Sequence, residues 1–136
     1  DICNMGVKDI ALPDSVLLMW VCDPMLDQAF KVIDAWGFTY KTVGFTWAKT
    51  NKNTMGFFTG LGYWTRGNPE MCLLATRGRP KRISKSVNQL VISQRQRHSE
   101  KPLIHKDIED LVGGPYIELF ARKKPRDGWD YWGNEV

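Results

Sequence analysis

Eight consecutive residues, Ser15-Val16-Leu17-Leu18-Met19-Trp20-Val21-Cys22, carry no charge and no helix breaker, and Asp23-Pro24 follows at once. An apolar run of that length without alternation is the pattern of a strand covered on both faces of an α/β sheet. Asp23 fits a helix N-cap and Pro24 the first helical position, and Leu26, Ala29, Phe30, Ile33 and Trp36 then recur at helical spacing until Gly37 stops the pattern. The predicted unit is strand, tight turn, helix. It restricts the chain to layered α/β architectures.

The remainder repeats the alternation. Residues 38–49 predict one long or two short strands with a bend allowed at Gly44, residues 71–76 another buried strand, and residues 90–92 an edge strand. Pro102 opens a second helix with Ile104, Ile108 and Leu111 inward, and Gly113-Gly114-Pro115 ends it. Residues 116–121 and 129–133 predict the last two strands, the second running into Asn134-Glu135. Residues 51–68 read as a long surface loop with a helical turn near Phe58. At 43% hydrophobic residues, a chain of 136 can bury one core, so residues 1–136 are expected to form a single domain.

Charge and cysteine usage narrow the function. Net charge is only +4, but the basic residues crowd into residues 66–97 and 123–126, a patch that favours a polyanionic partner. Cys3, Cys22 and Cys72 are odd in number and widely spaced, which points to no disulfide framework, no zinc site and a reducing compartment. Cys22 and Cys72 read as small buried hydrophobes. His98 and His105 are too far apart for a metal cluster, and His105 reads as a surface residue. No metal and no membrane span are expected. Gly60-Leu61-Gly62 begins like a dinucleotide fingerprint, but no strand precedes it directly and Asn68-Pro69 stands where a helix should run. A nucleophile elbow and a Walker loop are both absent from the sequence.

Polar residues at strand ends remain. Ligands of open α/β sheets bind beyond the carboxyl ends of the strands. Glu118, Arg122, Asn134 and Glu135 would gather there if the last two strands are neighbours, and a carboxylate such as Glu135 can accept hydrogen bonds from both hydroxyls of a ribose. Solvated strand-end charge is the plain alternative. Lys101, just before the N-terminal Pro102 of the second helix, opposes the helix dipole and suggests a shared anion, with a solvent-facing lysine as the alternative.

Several segments in order resemble the MT-A70 family of S-adenosylmethionine-dependent adenine N-6 methyltransferases, which act on RNA or DNA. They are Leu18-Met19-Trp20-Val21, Trp36-Gly37-Phe38, Trp47-Ala48-Lys49-Thr50-Asn51, Gly62-Tyr63-Trp64-Thr65-Arg66, Glu70-Met71-Cys72-Leu73, His98-Ser99-Glu100-Lys101-Pro102, Ile117-Glu118-Leu119-Phe120-Ala121-Arg122, and Gly128-Trp129 through Trp132-Gly133-Asn134-Glu135. The resemblance implies a Rossmann-like α/β methyltransferase fold, a mostly parallel sheet with helices on both faces. It implies S-adenosylmethionine as cofactor, with Lys101 at the methionine carboxylate or the target nucleoside, Glu118, Phe120 and Arg122 on the cofactor strand and turn, and Asn134 and Glu135 at the ribose.

On the substrate side it places Glu70 beside the target adenine and Trp47, Lys49 and Asn51 on the substrate face, with residues 51–69 and 80–99 as substrate-facing loops. Arg66, Arg77 and Arg79 then face phosphates, or form a solvated rim. The family's catalytic Asp-Pro-Pro-Trp does not occur in residues 1–136, and Asp23-Pro24 does not replace it, so the expectation is an N-terminally incomplete view of a longer enzyme. Nucleic acid is the expected partner, DNA ahead of RNA, with a homo- or heterodimer as a possible assembly. The expected compartment is the cytoplasm for a bacterial or phage protein and the nucleus for a eukaryotic one. The competing reading is a catalytically inactive subunit of the same fold that supports an active partner.

Overall fold

The structure is a computed structural model that describes residues 2–95 and 101–133. They divide between two compact units, one within Asp1–Pro80 and Asn88–Pro102, the other within Lys81–Val87 and Leu103–Val136.

The first unit contains α1 (Val7–Ile10), β1 (Ser15–Val21), α2 (Leu26–Ala35), β2 (Thr39–Thr50), β3 (Glu70–Arg77) and β4 (Leu90–Gln94). Its sheet has the order β1-β3-β2-β4, with β3 antiparallel to both neighbours and β4 parallel to β2. A mostly parallel sheet was expected, and the first unit forms a mixed one. The reason lies in the connection: β1 reaches β2 through a helix, but β2 reaches β3 through a helix-free loop, so the chain turns back antiparallel. β3 thereby enters between β1 and β2, which run the same way.

Other boundaries move for local reasons. A 3-10 turn, Asp23–Met25, precedes α2, so Asp23 is the first residue of that turn and the N-cap position of α2 falls on Met25. β1 is half-covered from Ser15 to Trp20 and buried only at Val21, so within this chain it is not sandwiched on both faces. Cys22 is exposed, whereas Cys72 is buried. Register shifts in β2 lie between Tyr40 and Thr42 and between Val43 and Phe45, the second at the glycine bend. No helical turn forms near Phe58; Thr50 instead bridges to Phe57.

Trp47, Phe45, Ile33, Leu73 and Cys72 are the largest wholly buried side chains. Trp20 meets Trp47 edge to face at 6.3 Å, and Phe30 of α2 meets Tyr40 of β2 in the same way at 5.1 Å. Arg77, at the far end of β3, donates to the carbonyls of Lys8 (2.6 Å) and Ala11 (3.3 Å) and so ties the strand to α1.

The second unit holds α3 (His105–Leu111), β5 (Tyr116–Leu119) and β6 (Trp129–Trp132), with β5 and β6 paired in parallel. The helix starts at His105, three residues beyond Pro102. No helix among the described residues is long and apolar enough to cross a membrane.

The turn after β3 depends on one glycine. Gly78 has φ +69, and a Cβ there would run into the Pro13 carbonyl and the Asp14 carboxylate, which also accepts the Arg79 N–H at 2.8 Å. Gly78→Ala is expected to cost about 1–3 kcal/mol, read as a lower urea midpoint with an unchanged slope.

Candidate functional site

The β2–β3 ladder ends with Trp47 opposite Glu70. Opposed residues of an antiparallel pair lie on one face, and Lys49, two positions along β2, shares it. Lys49 Nζ lies 2.8 Å from Glu70 Oε2, and Lys101 Nζ donates to Glu70 Oε1. Each carboxylate oxygen therefore meets its own ammonium group. Only 11% of the Glu70 side chain is exposed, against 20% for Lys49 and 33% for Lys101.

Burial acts on Glu70 to raise its pKa, because it penalises the charged form. The hydrogen bonds and charges of Lys101 and Lys49 outweigh that penalty and hold the carboxyl below its ordinary value. The group is a carboxylate at neutral pH and serves only as an acceptor. Trp47 stands behind it, 1% exposed, donating its indole N–H to the Ser93 carbonyl at 3.2 Å, while Lys49 Nζ sits 5.2 Å from its ring centroid. Trp47 thus orients Lys49 from within the core and offers little face to a ligand. Cys72, next but one along β3, is no nucleophile: burial pushes its thiol up to about 12.

Sequence reasoning singled out Glu70, Lys49 and Lys101 separately, and the structure brings the three together. It does not bring Arg77 and Arg79 to them. Arg77 stands at the opposite end of β3, about 23 Å along the strand from Glu70, with its guanidinium committed to α1. Arg79 is exposed beyond it, and Arg66 is exposed in the loop between β2 and β3. Asn51 begins that loop, its N–H donated to Gly56 O at 3.1 Å.

The second unit carries the other candidates. β5 and β6 end side by side, Leu119 opposite Trp132, and the Ala121 N–H continues the pairing to Trp132 O at 2.9 Å. Phe120 leaves β5 with φ +59, half exposed, its ring edge-on to Trp132 at 5.3 Å. Arg122 is exposed on the turn that follows. Glu118 is engaged from within its own unit: its Oε1 lies 2.6 Å from His105 Nε2. His105 is thus a partly buried partner of Glu118 and not the surface residue its helical position suggested. His105 also packs edge-on against Trp129 at 4.6 Å. Asn134 and Glu135 lie outside the described residues, as does His98.

One contributor escaped sequence reasoning altogether. Asn68 accepts the Lys49 N–H at 3.1 Å and donates to Lys49 O at 3.0 Å, which fixes the backbone of the lysine that holds Glu70. The signal available was only Asn-Pro before a strand, which also describes an ordinary turn.

Comparison with known proteins identifies the family. The sequence profile of the MT-A70 family matches residues 1–135. A type II methyltransferase of Mycoplasma sp, M.MunI, is 34% identical over 137 residues, which cover 98% of this chain and 55% of that protein. An N(6)-adenosine-methyltransferase MT-A70-like protein of Drosophila melanogaster is 27% identical over 128 residues, covering 90% of this chain and 21% of that protein. The chain therefore spans about half the length of the first and about a fifth of the second.

The triad has a signature in acid. Because the folded carboxyl of Glu70 titrates below its ordinary 4.5, its contribution to stability is complete above that value and is lost as pH falls through the folded value. Glu70→Gln removes the charge at every pH and is expected to cost about 1–2 kcal/mol at neutrality. That deficit should shrink below pH 4.5 in urea unfolding curves; a deficit constant down to about pH 3 would contradict the ion pairs.

Proposed function

The chain belongs to the MT-A70 family, and on that premise we propose that it serves an S-adenosylmethionine-dependent methyltransferase that modifies the N-6 amine of adenine in nucleic acid. DNA is placed ahead of RNA because identity to the type II methyltransferase is higher, and covers more of the chain, than identity to the adenosine methyltransferase-like protein.

The observation that carries the reading is the Glu70 carboxylate, kept ionised under the surface by Lys49 and Lys101. Adenine's exocyclic nitrogen is a poor nucleophile because its lone pair is delocalised into the ring, so an enzyme has to hold the amine hydrogens and orient the nitrogen. A carboxylate oxygen has two lone pairs, so Glu70 can accept an amine N–H while it still meets its lysine. Removal from water strengthens that bond. Lys49 and Lys101 keep the charge in place, and either can turn a further N–H toward a phosphate or ring nitrogen.

The second unit fits the nucleoside end of the cofactor. Two parallel strands finish together, an exposed aromatic pair, Phe120 and Trp132, stands at their carboxyl ends, and Arg122 follows on the turn. Phe120 would pack on the adenine ring and Arg122 would meet an anionic or hydroxyl group. When bound, S-adenosylmethionine supplies a methyl group activated on a sulfonium. Glu118 would act through the strand it steadies with His105.

The test is transfer of labelled methyl from S-adenosylmethionine to unmethylated duplex DNA, with N-6-methyladenine identified after digestion. Glu70→Ala is expected to lower kcat by about 100-fold while calorimetric affinity for S-adenosylmethionine stays within about twofold. Phe120→Ala should weaken that affinity about tenfold. Transfer to single-stranded RNA but not to DNA would reverse the substrate preference, and cofactor binding without transfer to either would favour an inactive supporting subunit.

A further inference from the structure

The neck of the loop between β2 and β3 is spanned by a side chain as well as by backbone bonds. Continued by two residues, the antiparallel register that pairs Trp47 with Glu70 would set Ala48 opposite Pro69 and Lys49 opposite Asn68. Pro69 interrupts it, because proline has no N–H to give the ladder. The Asn68 carboxamide takes over: Oδ1 accepts the Lys49 N–H at 3.1 Å, and Nδ2 donates to Lys49 O at 3.0 Å. A carboxamide offers the same acceptor and donor pair as a peptide group, so the side chain stands in for the missing strand residue.

The same Nδ2 also donates to Phe58 O, across the neck of the loop. Phe58 N–H returns to Lys49 O at 2.9 Å, Gly60 N–H meets Gly67 O at 2.7 Å, and Arg95 lies 4.4 Å from the Phe58 ring centroid. Beyond this neck the loop is open to solvent: Met55, Leu61 and Trp64 are essentially fully exposed. Among the described residues, Asn68 is the one side chain shown to bond both to the backbone of the Glu70 partner Lys49 and to the loop.

We infer that Asn68 is a positioning residue that couples the loop at residues 51–67 to the Lys49–Glu70 pair, so that the loop's exposed apolar side chains meet the nucleic acid in register with the acceptor carboxylate. It touches no reacting atom and acts through Lys49 and Phe58. The substrate side of the inference rests on the adenine methyltransferase reading; the clasp rests on the hydrogen bonds alone. Asn68 bonds to Lys49 and Phe58, on the substrate side of that reading, so its loss should be felt as substrate affinity.

Hydrogen exchange and steady-state kinetics on the same variants decide it. In Asn68→Ala, exchange at the Lys49 and Phe58 amides should accelerate at least tenfold, and KM for duplex DNA should rise about tenfold, with kcat changed less than threefold and affinity for S-adenosylmethionine unchanged. Asn68→Asp keeps the size and the Oδ1 acceptor but turns an oxygen toward the Lys49 and Phe58 carbonyls, so it should not restore either value. Circular dichroism of this near-isosteric variant guards against a folding defect. Unchanged exchange at Lys49 and Phe58, or rescue by Asp, overturns the clasp. Faster exchange with KM unmoved overturns the coupling to substrate. A parent protein that transfers no methyl group overturns the proposed function, while the exchange data still decide the clasp.

Discussion

Two ammonium groups converge on one carboxylate at the head of β3, and much of the first unit is arranged around that contact. A carboxylate withdrawn from water and left alone would take up a proton. Lys49 and Lys101 prevent this from opposite directions in the sequence, one from the neighbouring strand and one from the segment after β4. Holding them needs a rigid support. Trp47 supplies it for Lys49, and its own indole N–H is satisfied by β4, so the parallel β2–β4 edge is tied to the same charge. The pair is costly to bury and gains little over an apolar contact in stability.

The strands of the first unit were legible in the sequence to within a residue or two, because apolar runs report burial directly. Their directions were not. Residues 71–76 read the same whether the strand runs with its neighbours or against them, and what decides is the helix-free connection through residues 51–68. α2 was legible from its spacing, but the exact entry was not: Asp23 has the composition of a cap yet starts a 3-10 turn, and Met25 takes the cap position of α2. α3 was placed three residues early because Pro102 looks like a first-turn proline, while the backbone becomes helical only at His105.

The candidate site was legible one residue at a time. Glu70 stands out as an acid entering an apolar strand, and Lys101 as a cation before a helix. Their pairing with Lys49 could not be read, since it depends on the register of β2 against β3 and on the path of the chain after β4. His105 was misjudged because helical periodicity ranks positions by apolar content and is silent about a polar partner such as Glu118. Asn68 was invisible for the opposite reason: its type suits a turn so well that nothing signals a second task.

The second unit sets the same principle against backbone strain. Seven residues are too few for α3 to stand by propensity, so its side chains hold it: His105 on Glu118, and Glu109 accepting from the Trp129 indole at 2.8 Å and ion-paired with Arg126 at 3.2 Å. Tyr116 stacks on Trp129 at 4.8 Å, locking the starts of β5 and β6 together. The tails are locked as well. Ala121 is 1% exposed and bonded to Trp132 O, and a Cβ on Gly133 would run into the Ala121 backbone. With Leu119 paired below it and Ala121 pinned above, Phe120 sits in the left-handed region, which a bulky residue ordinarily avoids. The strain places an aromatic ring outside the core at a strand end. Glycine would adopt that backbone without cost, so the pairing on either side, and not the residue's own preference, sets the conformation at Phe120.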